Sequence, residues 1–162
     1  MSLEQAEKQN NAKRVISLLL TLLWMALIFY MSSQTADDSS DMSSGITYKL
    51  CSFFVKGFKD MSVDAKAAIV EGAHNYVRKA AHLSEYTVLG ILLSSSFASF
   101  SVKRVYIYAS LAGILYAATD EIHQLFVPGR SGEIRDVCID SIGVILGTLL
   151  FLFFIRIRSR KR

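Results

Sequence analysis

Ten polar side chains able to bind, ligate or move a proton cluster at the ends of apolar stretches. His82 and Glu85 stand three residues apart, and Arg78 lies one turn earlier, so a helix sets them on one face. Asp120, His123 and Gln124 follow the same helical spacing, with Glu121 turned about 100° away. Asp136 and Asp140 are one turn apart, and Arg130 and Arg135 precede them. Histidine and carboxylates in this pattern suit general acid–base work, which assigns His82, Glu85, Asp120 and His123 as candidate catalytic groups. Arginine forks recognise phosphate, so Arg78 and Arg130, with Glu121, Gln124, Asp136 and Asp140, are candidate substrate-binding residues.

Two other chemistries fit the same residues. Histidines and carboxylates together are ligand types for a divalent metal at this cluster, although no HExxH or similar spacing fixes a geometry. Alternatively, Arg78, Arg130 and Arg135 could neutralise Glu85, Asp120 and Asp140 in a purely structural network. Charged groups within membrane segments are costly, which favours a functional task.

The elements that carry these residues are apolar. The chain has 162 residues, 52% of them hydrophobic, and a single proline. Val15–Met31, Val105–Ala118 and Ile142–Ile155 are uncharged. With flanking residues they approach the roughly 20 residues that a membrane helix needs. Spans are expected near 14–31, 82–100, 104–124 and 137–156, the second being polar and sheltered by the others. The first run is too long for a signal-peptide core and reads as an uncleaved anchor. Odd spans end, and even spans begin, on one side, so the polar residues should share one face.

Ten of the 18 basic residues flank the opposite ends: Lys8, Lys13, Arg14, Lys103, Arg104, Arg156, Arg158, Arg160, Lys161 and Arg162. The positive-inside bias makes that side cytoplasmic, with both termini inside and the polar cluster outside. The net charge of +4 is explained by these flanks, and nucleic-acid binding is not indicated. The reading is therefore an all-α membrane protein, a four-transmembrane-helix bundle in one domain spanning residues 1–162. A cytoplasmic tail (1–13), an outer loop (32–81) and a basic tail (157–162) complete it.

Within the outer loop, Ser32–Ser44 reads as a solvated segment. Ile46, Leu50, Phe53, Phe54, Phe58 and Met61 then recur at helical spacing, giving an amphipathic interfacial helix over 46–61 or, from the same periodicity, a helix packed on top of the bundle. A further helix from about Asp64 runs on into the second span. Residues 1–12 read as frayed. Ala109, Gly113 and Ala117, and Gly143 and Gly147, form small-residue stripes for close helix packing. Cys138 reads as a small packed hydrophobe, and Trp24, Tyr106, Tyr108 and Tyr116 as belt or packing aromatics.

Three segments resemble motifs of the VanZ-like family. His82-Leu83-Ser84-Glu85-Tyr86 with Leu89-Gly90 is similar to H-x-x-E-Y-x-x-L-G. Asp120-Glu121-Ile122-His123-Gln124, running on to Phe126, Pro128-Gly129 and Arg130, is similar to D-E-x-H-Q-x-F-x-P-G-R. Asp136, Asp140, Gly143 and Gly147 match the last motif, and Ser32-Ser33-Gln34 a short S-x-Q element. The resemblance covers roughly residues 15–155. It implies a multi-span protein of the bacterial cytoplasmic membrane, in a family whose namesake is associated with teicoplanin resistance. It does not imply a mechanism. With the headgroup depth of the cluster, the expected partners are membrane lipids or a lipid-linked wall precursor. A non-enzymatic envelope scaffold or drug-binding protein is the alternative.

Overall fold

The computed structural model describes residues 2–160; Lys161 and Arg162, read above as part of the basic tail, lie outside them. The chain forms five α-helices and, among the described residues, no strand: α1 Leu3–Ser32, α2 Ala36–Phe54, α3 Val63–Ser99, α4 Val105–Gln124 and α5 Ile134–Arg160. Local capping explains three of the starts. Ser2 and Gln5 cap each other reciprocally before α1, Thr35 accepts from the Asp38 amide before α2, and Ser62 accepts from the Ala65 amide before α3. Each satisfies amide groups that the first turn leaves free.

These caps revise two expectations. Residues 3–12 are helical rather than frayed, because the capping box starts α1 about three turns before its apolar run. The outer-loop helix covers 36–54 rather than 46–61, because Thr35 starts it inside the segment read as solvated. It stops before Gly57, whose φ of 74° breaks the helix, and a 3₁₀ turn at Phe58–Asp60 follows. The expected run from Asp64 into the second span appears as one unbroken helix of 37 residues, α3.

Helix α3 lies at the centre and packs against each of the other four. Its closest neighbour is α5, where small residues bring the backbones into contact. A Cβ on Gly143 would lie 2.6 Å from the Leu83 carbonyl oxygen, and one on Gly147 would overlap the Thr87 carbonyl. Gly90 faces the Val144 backbone in the same manner. The α4 stripe packs likewise, with Ala109 and Ala117 fully buried and Gly113 against the Val144 side chain. Tyr86, Leu89, Leu93, Ile28 and Val144 fill the rest of the core.

The surface is inverted relative to a water-soluble protein. Leu23, Leu115 and Phe154 are about two-thirds exposed (66%, 66% and 64%), while Thr21, Ser94 and Thr148 are buried. Two helices, Glu7–Ser32 and Ile134–Arg160, are long and apolar enough to cross a membrane, with mean hydropathy 2.2 and 2.4. Only 17% and 28% of their apolar windows lie inside the protein, so they are not core helices of a soluble domain. Cys138 sits on the outward face of α5 and is exposed, contrary to the packed position expected of it.

At one end of the bundle the Arg14 Nε donates to the Ser99 carbonyl (3.1 Å) and the Ser17 and Ser99 hydroxyls pair (2.9 Å). These contacts tie α1 to the end of α3, where Ser101 and Arg104 take left-handed backbone conformations to reverse the chain.

The α3–α5 contact makes a testable demand. Gly147→Leu forces backbones apart and should destabilise the protein by roughly 3 kcal/mol or more, read as a lower melting temperature in detergent. Gly72→Ala, at a helical position with nothing within 4 Å of the added carbon, should be neutral or slightly stabilising.

Candidate functional site

The end of α1, the middle of α3, the end of α4 and the start of α5 meet at the other end of the bundle. Asp120 is the junction. Its Oδ2 accepts from the Ser32 hydroxyl of α1 (2.6 Å) and from the Tyr86 hydroxyl of α3 (3.1 Å). Gln124 Nε2 donates to the same Ser32 oxygen (3.2 Å). All four side chains are buried, so these bonds form in a low-dielectric surround and link three helices. The second oxygen, Asp120 Oδ1, is buried with no protein partner.

Glu121 points elsewhere, as its position on α4 requires. Its carboxylate accepts the Glu133 backbone amide and so fastens the α4–α5 turn. Gly129, with φ 76°, makes that turn, and the Pro128 carbonyl accepts the Ala36 amide at the start of α2 (3.3 Å). Arg130 then reaches back across the turn. Its Nε donates to the Gln34 carbonyl (3.0 Å) and its Nη2 to the Met31 carbonyl (3.3 Å). A cation there satisfies acceptors at the C-terminal end of α1 and complements its dipole. Burial, then the charge on Arg78, lower the Arg130 pKa from its usual value, and Asp120 and Glu121 oppose them.

Asp136 is held by Lys79 Nζ (2.6 Å), with an Arg78 guanidinium nitrogen at 3.9 Å. His82 Nδ1 stands 3.7 Å from Asp140 Oδ1, too far for a hydrogen bond, and both atoms are buried without a protein partner. His123 stacks on Phe29 of α1, with ring centroids 4.3 Å apart. Glu85 is half-buried, and among the described residues its carboxylate makes no hydrogen bond or ion pair. Its backbone carbonyl accepts from Trp24 Nε1 (3.0 Å).

The ten candidates therefore divide. Arg78, His82, Glu85 and Arg130 line a cavity of about 110 Å³ between α1, α2 and α3. The rest of its lining is apolar (Met31, Met42, Ile46, Val77 and Ala81), interrupted by Ser32, Ser39 and Ser43. Asp120, Glu121, His123, Gln124, Asp136 and Asp140 do not line it. Of these, Asp120 and Gln124 join α1, α3 and α4, Asp136 joins α3 to α5, and Glu121 fastens the α4–α5 turn. Among the described residues, no three His, Cys, Asp or Glu side chains are grouped to hold a metal ion. The arrangement can accept an anion at the two guanidinium groups, with one carboxylate and one imidazole beside it.

Three participants escaped the sequence reading. Lys79 is three residues before His82, a helical neighbour that could have been named with it. Tyr86 adjoins Glu85, and an aromatic residue in an apolar run gives no sign of its buried hydroxyl contact. The α2 wall could be placed only by the tertiary fold. Trp24 packs against the core, as a packing aromatic would, and its indole also donates to the Glu85 carbonyl, fastening α1 to α3.

Comparison with known proteins agrees with the motifs. The model of the VanZ/LLP1 family matches residues 17–155. No curated protein and no solved structure matches significantly. Across nearly all its helices, then, the chain belongs to the VanZ/LLP1 family.

Proposed function

We propose that this chain is a four-span membrane protein, with both termini cytoplasmic, that binds the phosphate of a lipid or lipid-linked wall precursor at its outer face. The supporting observation is the make-up of the α1–α2–α3 cavity. Two guanidinium groups, an imidazole and an unpaired carboxylate line it together with a largely apolar wall of Met31, Met42, Ile46 and Val77, interrupted by Ser32, Ser39 and Ser43. A soluble anion needs no such wall, and a bare alkyl chain needs no arginines. An amphiphile with an anionic headgroup uses both.

Within this reading Arg78 and Arg130 contact the phosphate. Arg78 is the more available, since its side chain is 41% exposed and its contact with Asp136 is long. Arg130 is partly committed to the α1 carbonyls. Glu85 and His82 are the groups placed to accept or donate a proton to a bound headgroup. Asp120 acts through the helices it joins and is a positioning residue. Family membership connects the protein to glycopeptide resistance. A protein that holds a lipid-borne wall component at the outer face would act where such drugs act.

The four-span topology draws on the outward apolar faces of α1, α4 and α5 and on the basic flanks Lys103, Arg104, Arg156 and Arg158. The alternative, a structural ion-pair network in an envelope scaffold, has support in the Lys79–Asp136 pair and the Arg130 contacts.

Substitutions separate the two. Arg78→Ala should leave the melting temperature within a few degrees and reduce co-purified lipid phosphorus about tenfold or more, the scale of one lost charge-assisted bond. Unchanged lipid phosphorus would favour the scaffold. Glu85→Gln should retain normal protein abundance and lose any resistance phenotype. Asp120→Asn should lower abundance, since it disturbs a buried acceptor shared by Ser32 and Tyr86.

Topology is checked by impermeant maleimide on intact cells, in a background where Cys138 is replaced. Ser33→Cys and Ser131→Cys should label from outside, and Lys103→Cys only after permeabilisation. Labelling of Ser33→Cys and Lys103→Cys from the same side would refute the four-span arrangement.

A further inference from the structure

The charged cavity does not end at Glu85. A second crevice, of about 220 Å³, is lined by Trp24, Leu27, Ile28, Met31 and Glu85. Met31 and Glu85 line both spaces, so the two adjoin across that pair. Apart from Glu85, this crevice has only apolar or aromatic walls. It follows α1 for two turns, about 10 Å, from the level of Met31 to that of Trp24. It opens outward beside Leu27, which is 45% exposed on the face that carries exposed Leu20 and Leu23. Trp24 is pinned across its far end by the hydrogen bond to the Glu85 carbonyl.

Resting on the headgroup reading above, we infer that this crevice receives the first part of the ligand's hydrocarbon chain, which enters sideways between α1 and α3. The ligand is then an amphiphilic phosphate whose headgroup–chain linkage lies at Glu85. A free phosphate or a soluble phosphorylated sugar would fill only the Arg78–Arg130 side. Three features support one continuous site. The polar and apolar spaces share walls, the cationic groups lie only on one side of Glu85, and the open edge faces the apolar exterior. Leu27 is a specificity-determining residue at this edge, and Glu85 marks the boundary between the two environments.

The test reads the two halves separately in protein reconstituted in nanodiscs. Phenylglyoxal modification of Arg78, followed by peptide mass spectrometry, reports on the charged half. Inorganic phosphate serves as one protecting probe and a single-chain lysophosphatidic acid as the other. In the native sequence both should protect Arg78, the lipid at a concentration at least tenfold lower than inorganic phosphate. Leu27→Trp fills the crevice from an exposed position. It should remove the lipid's advantage while leaving protection by inorganic phosphate unchanged. Leu23→Trp, one turn away on the same face and outside the crevice, should keep the advantage, and the melting temperature of both variants verifies folding. Equal protection by lipid in Leu27→Trp and the native sequence would overturn the crevice assignment and leave the headgroup site standing. Failure of both probes to protect Arg78 in the native sequence would overturn the headgroup site and this inference together.

Discussion

The backbone contact between α3 and α5 is the constraint on which the rest of the molecule depends. Gly143 and Gly147 bring α5 against the Leu83 and Thr87 carbonyls with no room for a side chain. Such contact has one workable register. Gly143 sits over the turn from Leu83 to Thr87. Three residues earlier on each helix, the same register sets Asp140 near His82, and one turn beyond that it sets Asp136 beside Lys79. Association of apolar helices in lipid gains little from the hydrophobic effect and relies on close packing and hydrogen bonds. Here the close packing sets the register, and the polar contacts follow from its geometry.

The polar groups serve two physical ends. Asp120, Gln124, Ser32 and Tyr86 bond one another in the interior, and Glu121 and Arg130 satisfy backbone groups at the α4–α5 turn and the α1 terminus. A buried carboxylate with several donors is tolerable, whereas one deprived of a donor is costly. Glu85 differs from all of these. It is half-buried, adjoins two cavities and has no protein partner among the described residues. Glu85 is the unfastened carboxylate that borders the cavities, whereas Asp140, also without a hydrogen bond, lies apart from them against His82.

Much of this was legible in the chain. The small-residue stripes follow a four-residue period, and that period survives folding unchanged. The convergence of Ser32, His82, Asp120 and Asp136 follows from alternating helix direction alone. Helix starts were harder. Ser2–Gln5 and Thr35–Asp38 are capping pairs inside polar stretches, where composition suggests solvated chain and only local hydrogen bonding favours a helix. Hydropathy also loses force where helices shelter one another. α3 buries Ser94 and Ser96, and α4 buries Asp120 and Glu121, so neither is among the two helices apolar enough to be recognised as a span by that measure. The split of the ten site candidates into two groups was out of reach, because it depends on where α2 lies, and nothing in its sequence names its neighbour.

The length of α3 has a mechanical consequence. Thirty-seven residues in one helix extend about 55 Å, nearly twice the hydrocarbon thickness of a bilayer. The same rod that carries His82 and Glu85 therefore bears α2 near one tip and meets Arg14 at the other. No proline interrupts α3, so a push on the arm that bears α2 is carried along one continuous helix. It appears as tilt along the whole shaft, so the tip that bears α2 and the end that meets Arg14 share one lever.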